Sequence, residues 1–213
     1  GDYDRALALG GDEHLRASAH LDRADVSFKQ KKYSAATDDY KKAAELGGSK
    51  SVRLTAAAHI GLGDVLVKQE QKGHLEQAIR QYEEAASRAQ DHHDLVALSH
   101  QRQAFVYSEL GSQAFNAQKF EPAIESWTKA TDQAEKANNL SLVGHLQHDI
   151  RLAHLNAGRS VAGQDSLAQL SRNLADAEQG FRKADAALQA ARSEQERLRW
   201  RRGQITSSLY ESV

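Results

Sequence analysis

Histidine is the residue type in this chain best suited to bind a metal ion, and two groups of histidines have suitable spacing. His145 and His148 are followed by Asp149, and a helix would place both imidazoles on one face. His92 and His93 form the second group. A metal site also needs a third ligand and outer hydrogen bonds that orient the ligands, and the sequence around either group indicates neither. We therefore predict no bound metal and no cofactor.

Arginines near the C-terminus surround a tryptophan and suggest a second kind of site. Such a cluster can hold phosphates while the indole stacks on a base. On a helix, however, the arginines would spread around the axis, and nearby glutamates would offset their charge. The net charge of the chain is -1 and gives no overall attraction to a polyanion. We therefore predict a solvated surface and no nucleic-acid partner. The cluster comprises Arg192, Arg197, Arg199, Trp200, Arg201 and Arg202.

Motifs for catalysis are missing from the sequence. The chain has no cysteine, which excludes thiol nucleophiles, thiolate metal sites and disulfides. It contains no Gly-x-Ser-x-Gly elbow, no phosphate-binding glycine loop and no His-Glu-x-x-His motif. It also has no apolar run approaching the roughly 20 residues that cross a bilayer. We expect a protein that is not an enzyme and does not insert into membranes. Its compartment stays open, with the cytoplasm slightly favoured.

The composition favours helices throughout. There is one proline in 213 residues, and 6% of the residues are aromatic. Alanine, leucine, glutamine, glutamate, lysine and arginine, which favour helices, are abundant. Apolar residues recur at helical spacing, as at Leu98, Phe105 and Leu110, without the alternation that a strand requires. We predict an all-α fold with no sheet.

Large and small residues recur in a fixed order along the chain. The order is plainest after Tyr107, where Leu110 and Gly111 are followed by Ala123 and Trp127. Small residues allow two antiparallel helices to cross closely, and the aromatic residues fill the space on either side. Further copies are marked by Ala24, Phe28, Tyr33, Ala36 and Tyr40, by Leu62, Gly63, Ala78 and Tyr82, and by Leu152, Ala153, Ala177 and Phe181. His20 and His59 replace the first aromatic residue in two copies, so we interpret them as packing residues.

This order of residues resembles the tetratricopeptide repeat, whose basic unit has 34 residues. The steps from Ala36 to Ala78, Ala123 and Ala177 are 42, 45 and 54 residues, which resembles the long-helix subtype of cell-polarity adaptors, kinesin light chains and bacterial peptide-sensing regulators. The resemblance implies a right-handed α-solenoid of antiparallel helix pairs. We expect hairpins at about 16–47, 51–90, 94–138 and 140–190, a C-terminal capping helix at 193–210, and a remnant of a preceding repeat or a frayed helix at 1–15.

In that family, the first helices of successive repeats line a concave groove that binds peptides. The resemblance implies an apolar floor with acidic flanks at the equivalent positions here. These positions are Asp22, Asp25, Phe28 and Lys29 in the first copy, Ile60, Asp64, Val67 and Lys68 in the second, and Phe105, Glu109, Ser112, Phe115 and Asn116 in the third.

Chaperone-binding members of the family hold a peptide's terminal carboxylate with lysine, arginine and asparagine side chains. Here Asp25 and Asp64 stand in the places of the asparagines, and Glu109 stands in the place of an arginine. These acids would repel a carboxylate, so the groove is expected to favour a segment with apolar and basic residues. The expected function is a non-catalytic scaffold for another protein or peptide. Two alternatives stay open: a self-assembling element that forms a homo-oligomer, and a regulatory domain of a larger signalling or transcription protein.

Overall fold

The computed structural model describes residues 12–48, 50–69, 71, 73–161, 175–183, 185–190 and 192–194. Regular secondary structure in these ranges is helical throughout, without a strand, in agreement with the predicted all-α class. The helices are α1 (Glu13–Lys29), α2 (Tyr33–Gly47), α3 (Val52–Gln69), α4 (His74–Arg88), α5 (His93–Asn116), α6 (Phe120–Lys136) and α7 (Leu140–Val161). Residues 175–183, 185–190 and 192–194 are helical as well.

Several predicted segments lie mainly outside the described residues. They are most of the N-terminal remnant at 1–15, nearly all of the capping helix at 193–210, and the arginine cluster apart from Arg192. Helix α1 begins at Glu13, where the Asp12 carboxylate accepts a hydrogen bond of 2.8 Å from the Leu15 amide and caps the helix. None of the helices described here is long and apolar enough to span a bilayer.

The chain forms two compact units, Gly1–Glu109 and Leu110–Val213, with α5 contributing residues to both. In the first unit, α1 packs on α2 and α3 packs on α4. Helix α3 also contacts α1 and α2, so consecutive hairpins pack side by side. In the second unit, α6 packs on α7. The repeat lengths of 42 and 45 residues exceed 34 because the helices are long, since the connections between the helices from α1 to α7 are short.

The alanines of the repeated pattern are buried between the helices. Ala24 of α1 and Ala36 of α2 are fully buried and share one core cluster with Tyr40, Leu62 and Val65. The equivalent Ala78 and Ala123 are also fully buried. A methyl side chain permits close approach of two helix backbones at little cost in side-chain entropy. The larger apolar residues then fill the space around these contacts.

Glycines accommodate aromatic rings of the neighbouring helices. A Cβ atom added at Gly63 would overlap the ring of Tyr82, and one added at Gly111 would overlap the indole of Trp127. The sequence pattern paired these glycines with Ala78 and Ala123 as the small residues of each crossing. In the structure, the ring that occupies the space lies one helical turn after each alanine. Each glycine therefore provides the volume that the aromatic ring needs.

Three of the interhelix turns have one geometry. Lys31, Gln118 and Asn138 have φ angles of 60°, 58° and 54°, in the left-handed region. In the first turn, the Lys31 amide donates to the Phe28 carbonyl and the Lys32 amide donates to the Ser27 carbonyl. The same pair of bonds recurs in the turns at 117–119 and 137–139. This Schellman arrangement closes the last turn of a helix, and glycine normally occupies its left-handed position.

Glycine substitution at these turns should stabilise the fold. Because a side chain strains the left-handed conformation, we expect Lys31→Gly and Gln118→Gly each to raise the free energy of unfolding by about 0.5 to 1 kcal/mol. The gain at Asn138 should be smaller, because asparagine tolerates this region better. Urea denaturation followed by circular dichroism measures the change. The adjacent Gln30, with φ of -81°, is the control: Gln30→Gly should destabilise, and equal effects at positions 30 and 31 would contradict this account.

Alanine should be poorly tolerated where a ring lies on a glycine. We expect Gly63→Ala and Gly111→Ala each to lower the free energy of unfolding by about 2 kcal/mol, because the ring must move away from the new methyl group. Gly180 is a helical glycine whose added Cβ would meet only ordinary contacts, the nearest at 3.5 Å from the Gln147 carbonyl oxygen. Gly180→Ala should therefore be neutral or stabilising. A stabilising Gly63→Ala in thermal or urea denaturation would refute the ring contact.

Candidate binding face on the first helices of the hairpins

The predicted groove residues lie on α1, α3 and α5, which are the first helices of successive pairs. Those up to Glu109 belong to the first compact unit, whereas Ser112, Phe115 and Asn116 belong to the second. The first unit therefore carries most of the predicted positions, and its acidic residues can be compared directly. We call the group of Asp25, Tyr40, Asp64, Tyr82 and Arg102 the aspartate–tyrosine cluster.

Asp25 and Asp64 each accept a hydrogen bond from a buried tyrosine of their own hairpin. The Tyr40 hydroxyl donates to Asp25 Oδ1 at 2.6 Å, and the Tyr82 hydroxyl donates to Asp64 Oδ1 at 2.8 Å. The rings of Tyr40 and Tyr82 are 3% and 1% exposed, so the core fixes the position of each hydroxyl. The two bonds occupy equivalent positions in consecutive hairpins. Sequence reasoning identified both acids but did not identify the donors.

Asp64 also lies beside a guanidinium group from the next hairpin. Arg102 Nε of α5 is 3.2 Å from Asp64 Oδ1, without the alignment of a hydrogen bond. Lys68, one helical turn after Asp64, is exposed and adds a second positive charge that Asp64 experiences. Asp25 adds a negative charge from α1. The acidic flank is therefore a mixed cluster in which two carboxylates interact and the second is partly neutralised.

Burial determines how these groups titrate. Desolvation raises the pKa of Asp64, and it outweighs the opposite effects of Arg102, of the Tyr82 hydrogen bond and of Lys68. Burial also raises the pKa of Tyr40 and of Tyr82 far above the ordinary tyrosine value, with a further contribution from the adjacent carboxylates. Both hydroxyls therefore remain protonated donors at physiological pH. The ionised form of Asp64 is less favourable than that of an exposed aspartate.

Apolar residues of the predicted floor differ widely in exposure. Phe105 is 47% exposed and lies three residues after Arg102 on α5. Val67 is partly exposed. Ile60 is only 6% exposed and belongs to the core. It lies on α3, which packs against α1, α2 and α4. Ile60 is therefore not exposed on the surface of the first unit, where the other predicted floor residues are at least partly exposed. Phe28 packs on the first core cluster together with Tyr33.

The remaining positions present no common surface chemistry. Asp22, Lys29 and Glu109 are exposed on the first unit. In the second unit, Asn116 is exposed and Ser112 is partly exposed. Phe115 contacts Phe120 and Trp127, with ring centroids 5.6 Å and 5.5 Å apart. It is thus part of an aromatic packing group and is only partly available to a ligand.

Sequence reasoning missed a second set of polar contacts, inside the hairpins. His20 Nδ1 lies 2.9 Å from Asp39 Oδ1, and His59 Nδ1 lies 2.8 Å from Gln81 Oε1. Asp39 and Gln81 each precede the tyrosine of their hairpin, so this contact also repeats. Arg23 adds bonds of 2.7 Å and 2.6 Å to the buried Asp39 carboxylate. His20 is buried as predicted, but it also bonds a charged partner. The sequence did contain a signal for these contacts, because a polar residue, Asp39 or Gln81, directly precedes the tyrosine of each hairpin.

Asp39 has the opposite titration behaviour from Asp64. Burial alone would raise its pKa, but the hydrogen bonds from Arg23 and His20 together outweigh this effect, and the pKa lies below the ordinary value. Its ionised form is therefore stabilised by the fold. Both aspartates lie within one unit, yet the number and alignment of their donors give pKa shifts of opposite sign.

The histidines considered as metal ligands have other contacts. His145 Nδ1 lies 2.7 Å from the Ser141 carbonyl oxygen, and His148 Nδ1 lies 3.5 Å from a terminal nitrogen of Arg151. Within the described ranges, no three histidine, aspartate, glutamate or cysteine side chains are arranged to hold a metal ion.

Comparison with protein-family models gives no match, and no curated protein matches the sequence. The interpretation of the aspartate–tyrosine cluster therefore depends on its own geometry.

The two buried aspartates should change stability with opposite pH dependence. The folded pKa of Asp39 lies below the ordinary value of 3.8, so its contribution is full above that value and is lost as pH falls. Asp39→Asn should therefore cost most near pH 7, about 3 kcal/mol, because it leaves His20 and Arg23 without their anion. The folded pKa of Asp64 is raised, so its contribution is full at low pH and is lost as pH rises. The stability of Asp64→Asn relative to the unmodified chain should therefore improve with pH.

Urea denaturation at several values between about pH 3 and pH 7 measures both slopes. Asp38→Asn is the matched control, because it makes the same substitution at the exposed neighbour of Asp39. Parallel slopes for the Asp39 and Asp64 variants would contradict the assigned directions.

Proposed function

We propose that this chain is a non-catalytic protein-binding scaffold of the tetratricopeptide type. In this proposal the helix pairs form a right-handed solenoid, and a partner segment with basic and apolar residues lies along α1 and α3. The side-by-side packing of hairpins in the first unit supports this arrangement. The observation that carries the proposal is the repeated carboxylate, Asp25 and Asp64, held by a tyrosine hydroxyl in each of two consecutive hairpins.

A carboxylate fixed by the core is better prepared for binding than a freely rotating surface acid. The hydroxyls of Tyr40 and Tyr82 hold one oxygen of each carboxylate, so less side-chain entropy is lost when a ligand binds. Asp25 is exposed and Asp64 is partly exposed. An incoming ammonium or guanidinium group would also offset the desolvation of ionised Asp64. Each effect favours a cationic side chain of the partner.

The spacing of the carboxylates is consistent with an extended partner. Packed helices lie about 8 to 10 Å apart, and α1 contacts α3 directly. In a polyproline II segment, residues three apart lie on the same side at about 9 Å. Two basic residues at this spacing could therefore reach Asp25 and Asp64 together. The exposed ring of Phe105 would accept an apolar residue further along the segment.

The charge distribution also argues for one orientation of the partner. Arg102 and Lys68 offset part of the Asp64 charge, whereas Asp25 on α1 is bonded to a neutral hydroxyl. A basic side chain of the partner is therefore expected to bind more tightly at Asp25 than at Asp64. The apolar residue of the partner is expected toward Phe105 on α5. A terminal carboxylate has no asparagine pair to bind at positions 25 and 64, so an internal segment is the expected ligand.

Fluorescence anisotropy with labelled 12-residue peptides tests this proposal. One peptide carries lysines three residues apart with leucine and phenylalanine between them, and its partner carries glutamates at the lysine positions. We expect the lysine peptide to bind at least tenfold more tightly at low salt, with affinity falling as salt rises. Asp25→Asn with Asp64→Asn should reduce binding about tenfold, because asparagine keeps an acceptor for tyrosine but loses the charge.

Tyr40→Phe with Tyr82→Phe is the matched control, because it keeps both charges and removes the donors that orient them. A smaller loss, about threefold, is expected for this variant. Equal binding of both peptides, or unchanged affinity in the double asparagine variant, would remove this face from the proposal. Light scattering across a concentration series tests the self-assembly alternative, which alone requires a mass that rises with concentration.

A further inference from the structure

An open groove in the second unit lies between α7 and residues 177–182 and has a volume of about 480 Å³. Small-molecule sites in proteins commonly have volumes of about 300 to 1,000 Å³, so the groove is large enough for a compact organic ligand. Its lining consists of Arg151, Leu155, Ala177, Glu178, Phe181 and Arg182.

The apolar part of the groove has an aromatic side chain that the core does not cover. Phe181 is 54% exposed, although the adjacent Gly180 is buried against α7. Leu155 is partly exposed and extends the apolar wall from the α7 side. Ala177 is buried at the base. Large apolar side chains exposed together in a concave site favour a ligand with an apolar body.

The charged part of the groove lacks a matching anion in the described structure. The Arg151 guanidinium carbon lies 5.2 Å from the centre of the Phe181 ring, a cation–π distance. Arg151 Nε is buried and has no acceptor among the described residues. No ion pair to Arg151 or Arg182 is formed within the described ranges. Glu178 is the acid in the lining, so the arginines give the groove a net positive charge.

We propose that this groove binds a small organic monocarboxylate with an aromatic or aliphatic body. The carboxylate would lie at the guanidinium groups, which present paired N–H donors to a planar anion, and the body would cover Phe181 and Leu155. Glu178 disfavours a dianion such as a phosphate monoester more than a single carboxylate. The groove thereby selects one negative charge joined to an apolar group.

Nuclear magnetic resonance titration of the full chain with 4-phenylbutyrate tests this inference. A ligand of this size should bind with a dissociation constant of about 1 mM or tighter, and the shifted amide signals should map to α7 and residues 175–183. The uncharged 4-phenylbutan-1-ol should bind at least fivefold more weakly. The proposal would be overturned by equal affinity for the acid and the alcohol, or by shifts that map elsewhere. It would also be overturned if no binding were seen at a ligand concentration five times the expected dissociation constant of about 1 mM.

Variants separate the charged and apolar contributions. Arg151→Gln and Phe181→Ala should each weaken 4-phenylbutyrate about fivefold, whereas Glu178→Gln should tighten it about threefold, because a repulsive charge is removed. Lys183→Gln is the control, because it removes one positive charge, as Arg151→Gln does. Lys183 is exposed one residue beyond the lining of the groove. The Glu178 variant keeps the test decisive if Phe181→Ala disturbs folding. Unchanged affinity in Glu178→Gln, or an equal loss in Lys183→Gln, would contradict binding at this groove.

Discussion

The rest of the first unit depends on one kind of contact, in which an aromatic ring packs directly against a helix at a glycine. Helix α3 has two such places, because Gly61 lies against the ring of Tyr40 and Gly63 lies against the ring of Tyr82. Residues two apart on a helix point about 200° apart. The rings of the preceding hairpin and of its own hairpin therefore lie on nearly opposite sides of α3. These contacts set how closely α3 packs against α2 and α4.

The same two rings connect the core with the surface. Because each ring is buried, its hydroxyl has little freedom, and it donates to an aspartate on the first helix of its hairpin. The position of the carboxylate is thereby determined by packing within the core. In the third hairpin, Gly111 accommodates Trp127, which has no phenolic hydroxyl, and Ser112 stands where the other hairpins have aspartate. Packing is retained there while the polar chemistry differs.

The histidine contacts add a second pair of polar side chains to each of the first two hairpins, α1–α2 and α3–α4. Asp39 with His20 and Gln81 with His59 are equivalent pairs, one charged and one neutral. Burial of a carboxylate costs free energy unless donors satisfy it, and Arg23 supplies two of the donors to Asp39. Asp64 has fewer well-aligned donors and keeps a raised pKa. Two aspartates in one unit thus contribute to stability in opposite directions as pH changes.

The sequence alone determined the helices, their pairing into hairpins and the small residues at the closest contacts, because these follow from helical periodicity and from the volumes of alanine and glycine. It also identified Asp25 and Asp64 as equivalent positions. Only the tertiary structure decided that Tyr40 and Tyr82 donate to them, that Arg23 and His20 bond the buried Asp39 carboxylate, and that Ile60 is covered. Helical spacing fixes which residues share a face of one helix, whereas the partner of each side chain depends on the distance and angle at which separate helices cross.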